Sequence, residues 1–124
     1  MERILWLSLA GAAGTLSRYG LSKIVLTWTG GPFPWGTWAV NILGSFAFGA
    51  IWPLAEGRMV LSPETRLLVL TGFMGAFTTF STFMFETVNL AGEGKMALAA
   101  ANLAGQSLVG LLAVLAGLAL GRGF

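Results

Sequence analysis

Four long apolar segments with short connections between them most strongly limit what this chain can fold into. They cover about residues 4–26, 36–55, 66–91 and 96–120, and each is close to the roughly 20 residues that a helix needs to cross a bilayer. The connections, residues 27–35, 56–64 and 92–95, leave no room for a soluble domain. We therefore predict an all-α membrane protein with four transmembrane helices, in which residues 1–124 form a single domain. The first segment begins like a signal peptide, but Glu2 weakens the positive region that such a peptide needs, so we expect a retained span.

Composition excludes several other classes of protein. Hydrophobic residues make up 56% of the chain and charged residues only 10%, which is far below the charged share of soluble domains. The chain contains no cysteine, histidine or aspartate, so no thiolate metal site and no nucleophile–base pair can be assembled. We therefore expect no enzyme. The seven basic residues are scattered, and without a basic stripe we expect no nucleic-acid partner.

Residues 72–83, which read GFMGAFTTFSTF, place polar groups in the middle of the third apolar segment. Such groups are tolerated at bilayer depth only where they meet protein or line a cavity. Phenylalanines recur at positions 77, 80 and 83, and a phenyl edge is electropositive. Neighbouring hydroxyls come from Thr78, Thr79, Ser81 and Thr82, and no cation lies at the centre. This combination suits a small, hard anion that passes through without being trapped.

Two glycines in the same segment weaken the helix just before the Thr-Thr pair. Gly72 and Gly75 lower the cost of a break there. Unwound carbonyls at membrane depth can coordinate a hard cation such as Na⁺. The residues permit the break, and they do not by themselves show a cation.

Each of the other polar residues at bilayer depth has two possible interpretations. Asn102 and Gln106 are four residues apart on one face of the last span, where they form either a permeation wall or a contact between helices. Asn41 provides either an interhelical hydrogen bond or an amide donor in a pathway. Arg18 either extends to the interface or lies in a water-filled vestibule.

The basic residues give little preference for one orientation in the membrane. With both termini on one side, Arg3, Arg58, Arg66 and Arg122 oppose Arg18, Lys23 and Lys95. Because loop Lys and Arg residues set topology, four against three predicts insertion in both orientations with similar probability. Oppositely oriented copies could then pair into an antiparallel homodimer.

Three motifs are similar to those of a known protein family: GAAGTLSRYG at residues 11–20, GTWAVNILGSFAFG at residues 36–49 and GFMGAFTTFSTF at residues 72–83. In order, spacing and length the chain resembles the Fluc family of fluoride channels, also called CrcB proteins. The resemblance implies an antiparallel, dual-topology homodimer in the cell (inner or plasma) membrane. It also implies two pores that let fluoride leave passively down its electrochemical gradient, which lowers cytoplasmic fluoride toxicity.

The resemblance also assigns residues. Phe80 and Phe83 match the family's pore phenylalanines, Asn41 its pore asparagine, Arg18 a vestibule arginine and Glu86 a position near a pore mouth. The family's polar track on the last helix often uses Tyr, Ser or Thr, and the corresponding row in this chain is Asn102, Gln106 and Gly110. The predicted pore thus comprises Asn41, Thr79, Phe80, Ser81, Thr82, Phe83, Asn102 and Gln106. The resemblance further implies a broken third helix, with a structural Na⁺, which is not transported, at the backbone carbonyls of Gly75 and Thr78.

The main alternative is a small-multidrug-type proton-coupled exporter, which also has four spans. Coupling to protons needs a carboxylate deep in the membrane. The one intramembrane candidate is Glu86, five residues from the end of its predicted span. A purely structural membrane subunit would leave the hydroxyl and phenyl groups of residues 72–83 without a purpose.

Overall fold

The computed structural model describes residues 1–57 and 60–123, and every regular element among them is helical. Helix α1 covers Glu2–Thr29, α2 covers Trp35–Glu56, α3 covers residues 63–77, α4 covers Phe80–Gly92 and α5 covers Met96–Gly123. The four predicted spans fall within these helices, the third being shared by α3 and α4. Arg58, which entered the charge count, lies outside the described residues.

Three stretches of the described chain are long and apolar enough to cross a membrane. They are Trp35–Glu56, Pro63–Gly92 and Met96–Gly123. Helix α1 has 28 residues, which is also sufficient length, but Arg18 and Lys23 interrupt its apolar character. Its role as a fourth span therefore stays a prediction.

Local side-chain chemistry sets several helix ends. Ser62 accepts a hydrogen bond from the Thr65 backbone N–H at 3.1 Å, and Pro63 is the first residue of α3, so this Ser-Pro pair sets the start of the helix. The turn after α1 contains Gly30 and Gly31 at φ 60° and 76°, values that favour glycine.

The turn between α4 and α5 is fixed in a similar way. Gly94 has a φ of 78°. The ammonium group of Lys95 donates to Glu93 at 2.6 Å, and this hydrogen bond, together with the positive charge, lowers the pKa of the Glu93 carboxyl.

Polar contacts show which helix ends lie together. Arg3 of α1 lies 4.0 Å from Glu64 of α3, and Arg66 of α3 lies 2.7 Å from Glu56 at the end of α2. The start of α1, the end of α2 and the start of α3 therefore share one end of the bundle. The chain thus runs up, down and up through its first three helices.

The most extensive contact in the bundle is between α2 and α5. A Cβ added at Gly49 would collide with the Val114 carbonyl, and one added at Gly117 would collide with the Phe46 carbonyl. Glycine therefore lets the two backbones approach closely, as in many membrane helix pairs. The buried apolar core, by contrast, is small and consists mainly of Val40, Ala55, Leu70, Met74 and Phe77.

Two helices contain a stretch of wider, π-helical turns. One is Leu67–Met74, which precedes the predicted break, and the other is Ala101–Gly105, which precedes Gln106. Such turns occur frequently at functional sites. Each stretch ends next to a residue predicted for the candidate site, Gly75 in one case and Gln106 in the other.

Candidate functional site

The helix break predicted in the third span is present at Thr78 and Thr79. Helix α3 ends at Phe77, and both threonines are extended, with ψ angles of 158° and 112°. Helix α4 then begins at Phe80, where the Thr79 hydroxyl accepts from the Thr82 backbone N–H at 3.3 Å. This threonine acts as an N-cap, which explains why the helix restarts there.

The break removes helical partners from the two carbonyls at which the family resemblance implies a Na⁺. In a continuous helix the Gly75 carbonyl would accept from the N–H of Thr79, and the Thr78 carbonyl from that of Thr82. The Thr79 N–H instead donates to Asn41 Oδ1 at 2.8 Å, and the Thr82 N–H donates to the Thr79 hydroxyl. Carbonyls without these helical partners suit a hard monovalent cation.

Arg18 holds the end of α3 from the neighbouring helix. Its Nε donates to the Ala76 carbonyl at 3.1 Å, and the side chain is half-buried. A cation at the C-terminal end of a helix is favourable because the last carbonyls carry partial negative charge. Arg18 therefore stabilises the helix break as well as bringing charge into the bundle.

Asn41 of α2 binds the broken segment through both sides of its amide. Its oxygen accepts from the Thr79 N–H, and its nitrogen donates to the Thr79 carbonyl at 3.0 Å and to Gln106 Oε1 at 2.6 Å. The side chain thus replaces backbone hydrogen bonds that the break gives up. Both amide hydrogens of Asn41 are used in these contacts.

The hydrogen bonds continue through α5 to α4. Gln106 donates to Asn102 Oδ1 at 3.1 Å, Asn102 donates to the Thr87 hydroxyl at 2.9 Å, and Thr87 donates to the Phe83 carbonyl at 2.8 Å. Asn102 is fully buried and Gln106 is 4% exposed. Sequence reasoning missed Thr87, because a single threonine in a membrane helix commonly bonds back to the carbonyl four residues earlier and gives no other signal.

A groove of ≈ 540 Å³, here called the central groove, lies beside this network. Its lining combines amide, hydroxyl and phenyl groups, and no charged side chain of the described chain lines it. The residues are Asn41, Gly44, Ser45, Phe48, Thr78, Thr79, Phe80, Phe83, Gln106, Ser107, Gly110, Leu111 and Val114. The rings of Phe80 and Phe83 meet edge to face, with centroids 6.1 Å apart. Phe80 is 73% exposed, so the groove is open on that side.

A second groove, the Arg18 groove, has a volume of ≈ 340 Å³ and lies on the other side of the break. Its charged lining residues are Arg18, Lys23 and Glu86. The Glu86 carboxylate accepts from the Thr37 hydroxyl at 2.6 Å. Thr79 lines both grooves, so the broken segment borders each of them.

The structure brings together most, but not all, of the residues predicted for the pore. Asn41, Thr79, Phe80, Phe83 and Gln106 line the central groove, and Thr82 lines the Arg18 groove. Asn102 is buried behind Gln106, and Ser81 is exposed on α4 without lining either groove. Ser45 and Ser107, which the sequence did not assign to the pore, do line the central groove.

These features define a class: a multi-pass helical membrane protein with a broken helix and, beside the break, a groove that carries amide, hydroxyl and phenyl groups without a charged side chain from the described residues. Residues 5–118 match the family model described as CrcB-like protein, Camphor Resistance (CrcB). The chain belongs to this family.

Curated relatives support the same membership over almost the whole chain. The "Fluoride-specific ion channel FluC" of Nitrosococcus oceani is 54% identical over 116 residues, which cover 94% of this chain and 93% of the relative. The protein of the same name from Solidesulfovibrio magneticus is 52% identical over 122 residues, covering 98% of each chain. That from Maridesulfovibrio salexigens is 49% identical over 122 residues, covering 98% and 97%.

Proposed function

We propose that this protein is a fluoride channel that lets the anion cross the cell membrane passively, down its electrochemical gradient. The central groove carries this proposal, because its polar groups are neutral donors placed beside two phenyl rings. The names of the relatives point to the same ion. In a cell that takes up neutral HF from an acidic medium, such a channel lets the accumulated anion escape.

The lining chemistry accounts for passage without trapping. A fluoride ion that loses water in the groove can replace it with amide and hydroxyl donors and with the electropositive edges of Phe80 and Phe83. A fixed positive charge in the same place would bind the anion tightly, whereas conduction needs binding weak enough to release it. Fluoride accepts stronger hydrogen bonds than chloride and is smaller, so a narrow pore of this kind selects it.

The proposal includes an antiparallel homodimer with two pores, each lined by both subunits. Within one chain the central groove is open, and Phe80, which lines it, is largely exposed. A second, inverted copy would close that side. In this arrangement α1 is the fourth span, and the nearly balanced basic residues allow both orientations.

A structural Na⁺ between the two subunits is also part of the proposal. The carbonyls of Gly75 and Thr78 lack their usual helical partners, and oxygen ligands are those that a hard monovalent cation prefers. The expected consequence is that replacing Na⁺ by N-methylglucamine lowers the thermal unfolding temperature of the purified protein. Thr78→Ser keeps this cation dependence because the ligands are carbonyls. An unfolding temperature that is the same in both cations would contradict a structural cation at the helix break.

Fluoride efflux from liposomes tests the channel against the exporter alternative. Efflux of fluoride should continue at equal internal and external pH with a protonophore present, because a channel needs no proton gradient. Glu86, which an exporter would need as its proton carrier, does not line the central groove. Efflux that stops when the proton gradient is removed would support the exporter and overturn the channel.

A further inference from the structure

A chain of hydrogen bonds runs from the broken segment to α4. At the broken segment, a backbone N–H determines which way the side-chain amides in this chain are oriented. The backbone N–H of Thr79 can only donate, so Asn41 must turn its oxygen toward it, at 2.8 Å. Asn41 then presents its nitrogen to Gln106, 2.6 Å away. Gln106 must therefore present its oxygen to Asn41.

The other end imposes the same direction. The Phe83 carbonyl can only accept, so Thr87 gives its one proton to that carbonyl, at 2.8 Å. The Thr87 oxygen is then an acceptor for Asn102, whose nitrogen lies 2.9 Å away. Asn102 consequently presents its oxygen to the nitrogen of Gln106, at 3.1 Å. Two backbone groups of opposite character thus orient every amide between them.

This orientation of the amides determines which of them still has an N–H available to donate a hydrogen bond. Asn41 gives both of its N–H groups to protein acceptors. Gln106 gives one N–H to Asn102, and its second N–H has no partner among residues 1–57 and 60–123. Gln106 also lines the central groove. The amide donor available there is therefore that of Gln106.

We propose that Thr87 and Asn102 are positioning residues that hold the Gln106 amide with its second N–H available to the permeating anion. Neither residue lines the central groove, so both act through Gln106. If the Thr87 oxygen is removed, Asn102 loses its fixed direction and no longer holds the first N–H of Gln106. The Gln106 oxygen stays on Asn41, but the amide can then rotate about this one contact, and its second N–H is no longer held toward the groove. This inference rests on the proposed fluoride channel.

Three substitutions separate positioning from simple packing. Thr87→Val keeps the shape of the side chain but removes its oxygen, and Thr87→Ser keeps the oxygen. The matched control is Thr27→Val, because Thr27 also donates to the carbonyl four residues earlier, Lys23 at 2.9 Å, but lies outside the network. We expect Thr87→Val to lower fluoride efflux roughly five- to tenfold, as for one lost buried hydrogen bond. Thr87→Ser and Thr27→Val should stay within about twofold of the unchanged protein.

A direct view of the amide is possible because Gln106 is the only glutamine in the sequence. Selective ¹⁵N labelling of glutamine side chains gives one NH₂ group in the NMR spectrum. Addition of fluoride should shift one of its two proton signals in the unchanged protein and in Thr87→Ser. Thr87→Val should lose this selective shift, and Asn102→Leu, which removes the next partner, should lose it as well.

The outcomes distinguish this inference from the proposed function. If the unchanged protein passes no fluoride, the channel proposal fails and this inference fails with it. If the unchanged protein conducts and Thr87→Val shows the same flux and the same fluoride-induced shift, only the positioning role is overturned. A lower flux with an unchanged Gln106 signal would show that Thr87 acts through packing, which also overturns it. Should Thr87→Val fail to fold, the same criteria apply to Asn102→Leu.

Discussion

The two phenylalanines of the central groove offer the first test at the scale of single residues. Phe80→Ile or Phe83→Ile keeps an apolar side chain but removes the electropositive ring edge. Because such aromatic contacts are worth about 0.5–1.5 kcal/mol, we expect fluoride flux to fall roughly two- to tenfold. The measurement is efflux from liposomes with a fluoride electrode. Phe85→Ile is the control, because Phe85 is exposed on α4 and does not line either groove.

Asn41 provides a second test at this scale. Asn41→Ala leaves the Thr79 N–H and the Gln106 oxygen without their partner, and Asn41→Asp adds a negative charge that repels the anion. Both changes should reduce fluoride flux, Asn41→Asp more strongly. Asn89→Ala, an exposed change near the end of α4, should have little effect on the same measurement. Flux at the unchanged rate in both Asn41 variants would contradict its place in the pathway.

At the residue scale the sequence indicated which polar groups matter but not how they pair. Helical spacing places Asn102 and Gln106 on one face, and their direct hydrogen bond agrees with this. The contact between Asn102 and Thr87 depends on how α4 and α5 are rotated against each other. Spacing within one helix carries no information about that rotation, so Thr87 had to be found in the structure.

At the scale of helices, the position of the break depends on close contact between α2 and the extended residues. A Cβ added at Gly44 would collide with Cγ2 of Thr78 and lie 3.2 Å from the Phe77 ring. We therefore expect Gly44→Ala to destabilise the fold by about 1–3 kcal/mol and to lower fluoride flux. Thermal unfolding and liposome efflux measure the two effects.

A second substitution makes this test specific. Thr78→Ser removes the methyl group that the new side chain would strike, but keeps a hydroxyl that can donate to the Met74 carbonyl. The double variant Gly44→Ala, Thr78→Ser should recover much of the lost stability and flux. If Thr78→Ser rescues neither, the contact between Gly44 and Thr78 does not set the position of the break.

Helix ends followed from the sequence more readily than irregular turns within helices. Ser62, Pro63 and the Thr-Thr pair mark ends through local capping chemistry, which depends only on neighbouring residues. The π-helical turns of Leu67–Met74 and Ala101–Gly105 were not predicted. Helix propensity does not distinguish an α-helical turn from a π-helical one, so the residues of these two stretches gave no local signal for the wider turn.

At the scale of the whole molecule, the proposed antiparallel dimer predicts two orientations in one membrane. Adding three Lys residues near the N-terminus should force a single orientation, because loop charge sets topology. Fluoride flux should then be lost, and co-expression of a variant that inserts only in the opposite orientation should restore it. Flux that persists when one orientation alone is present would contradict the antiparallel assembly.

The orientations can also be observed without changing the charge. The chain contains no cysteine, so a single cysteine added at the N-terminus gives labelling without background. Active protein should be labelled from both sides of the membrane by an impermeant reagent. Labelling from one side alone would contradict the dual orientation.

The reversal potential of currents through the purified protein in a planar bilayer tests the central claim most directly. With a tenfold fluoride gradient and an opposing tenfold chloride gradient, the current through a fluoride channel should reverse at about 59 mV, with the sign of the fluoride equilibrium potential. The value should be unchanged when a pH difference is imposed across the bilayer. Reversal at the chloride potential, or the absence of any current in fluoride, would contradict a fluoride-selective channel.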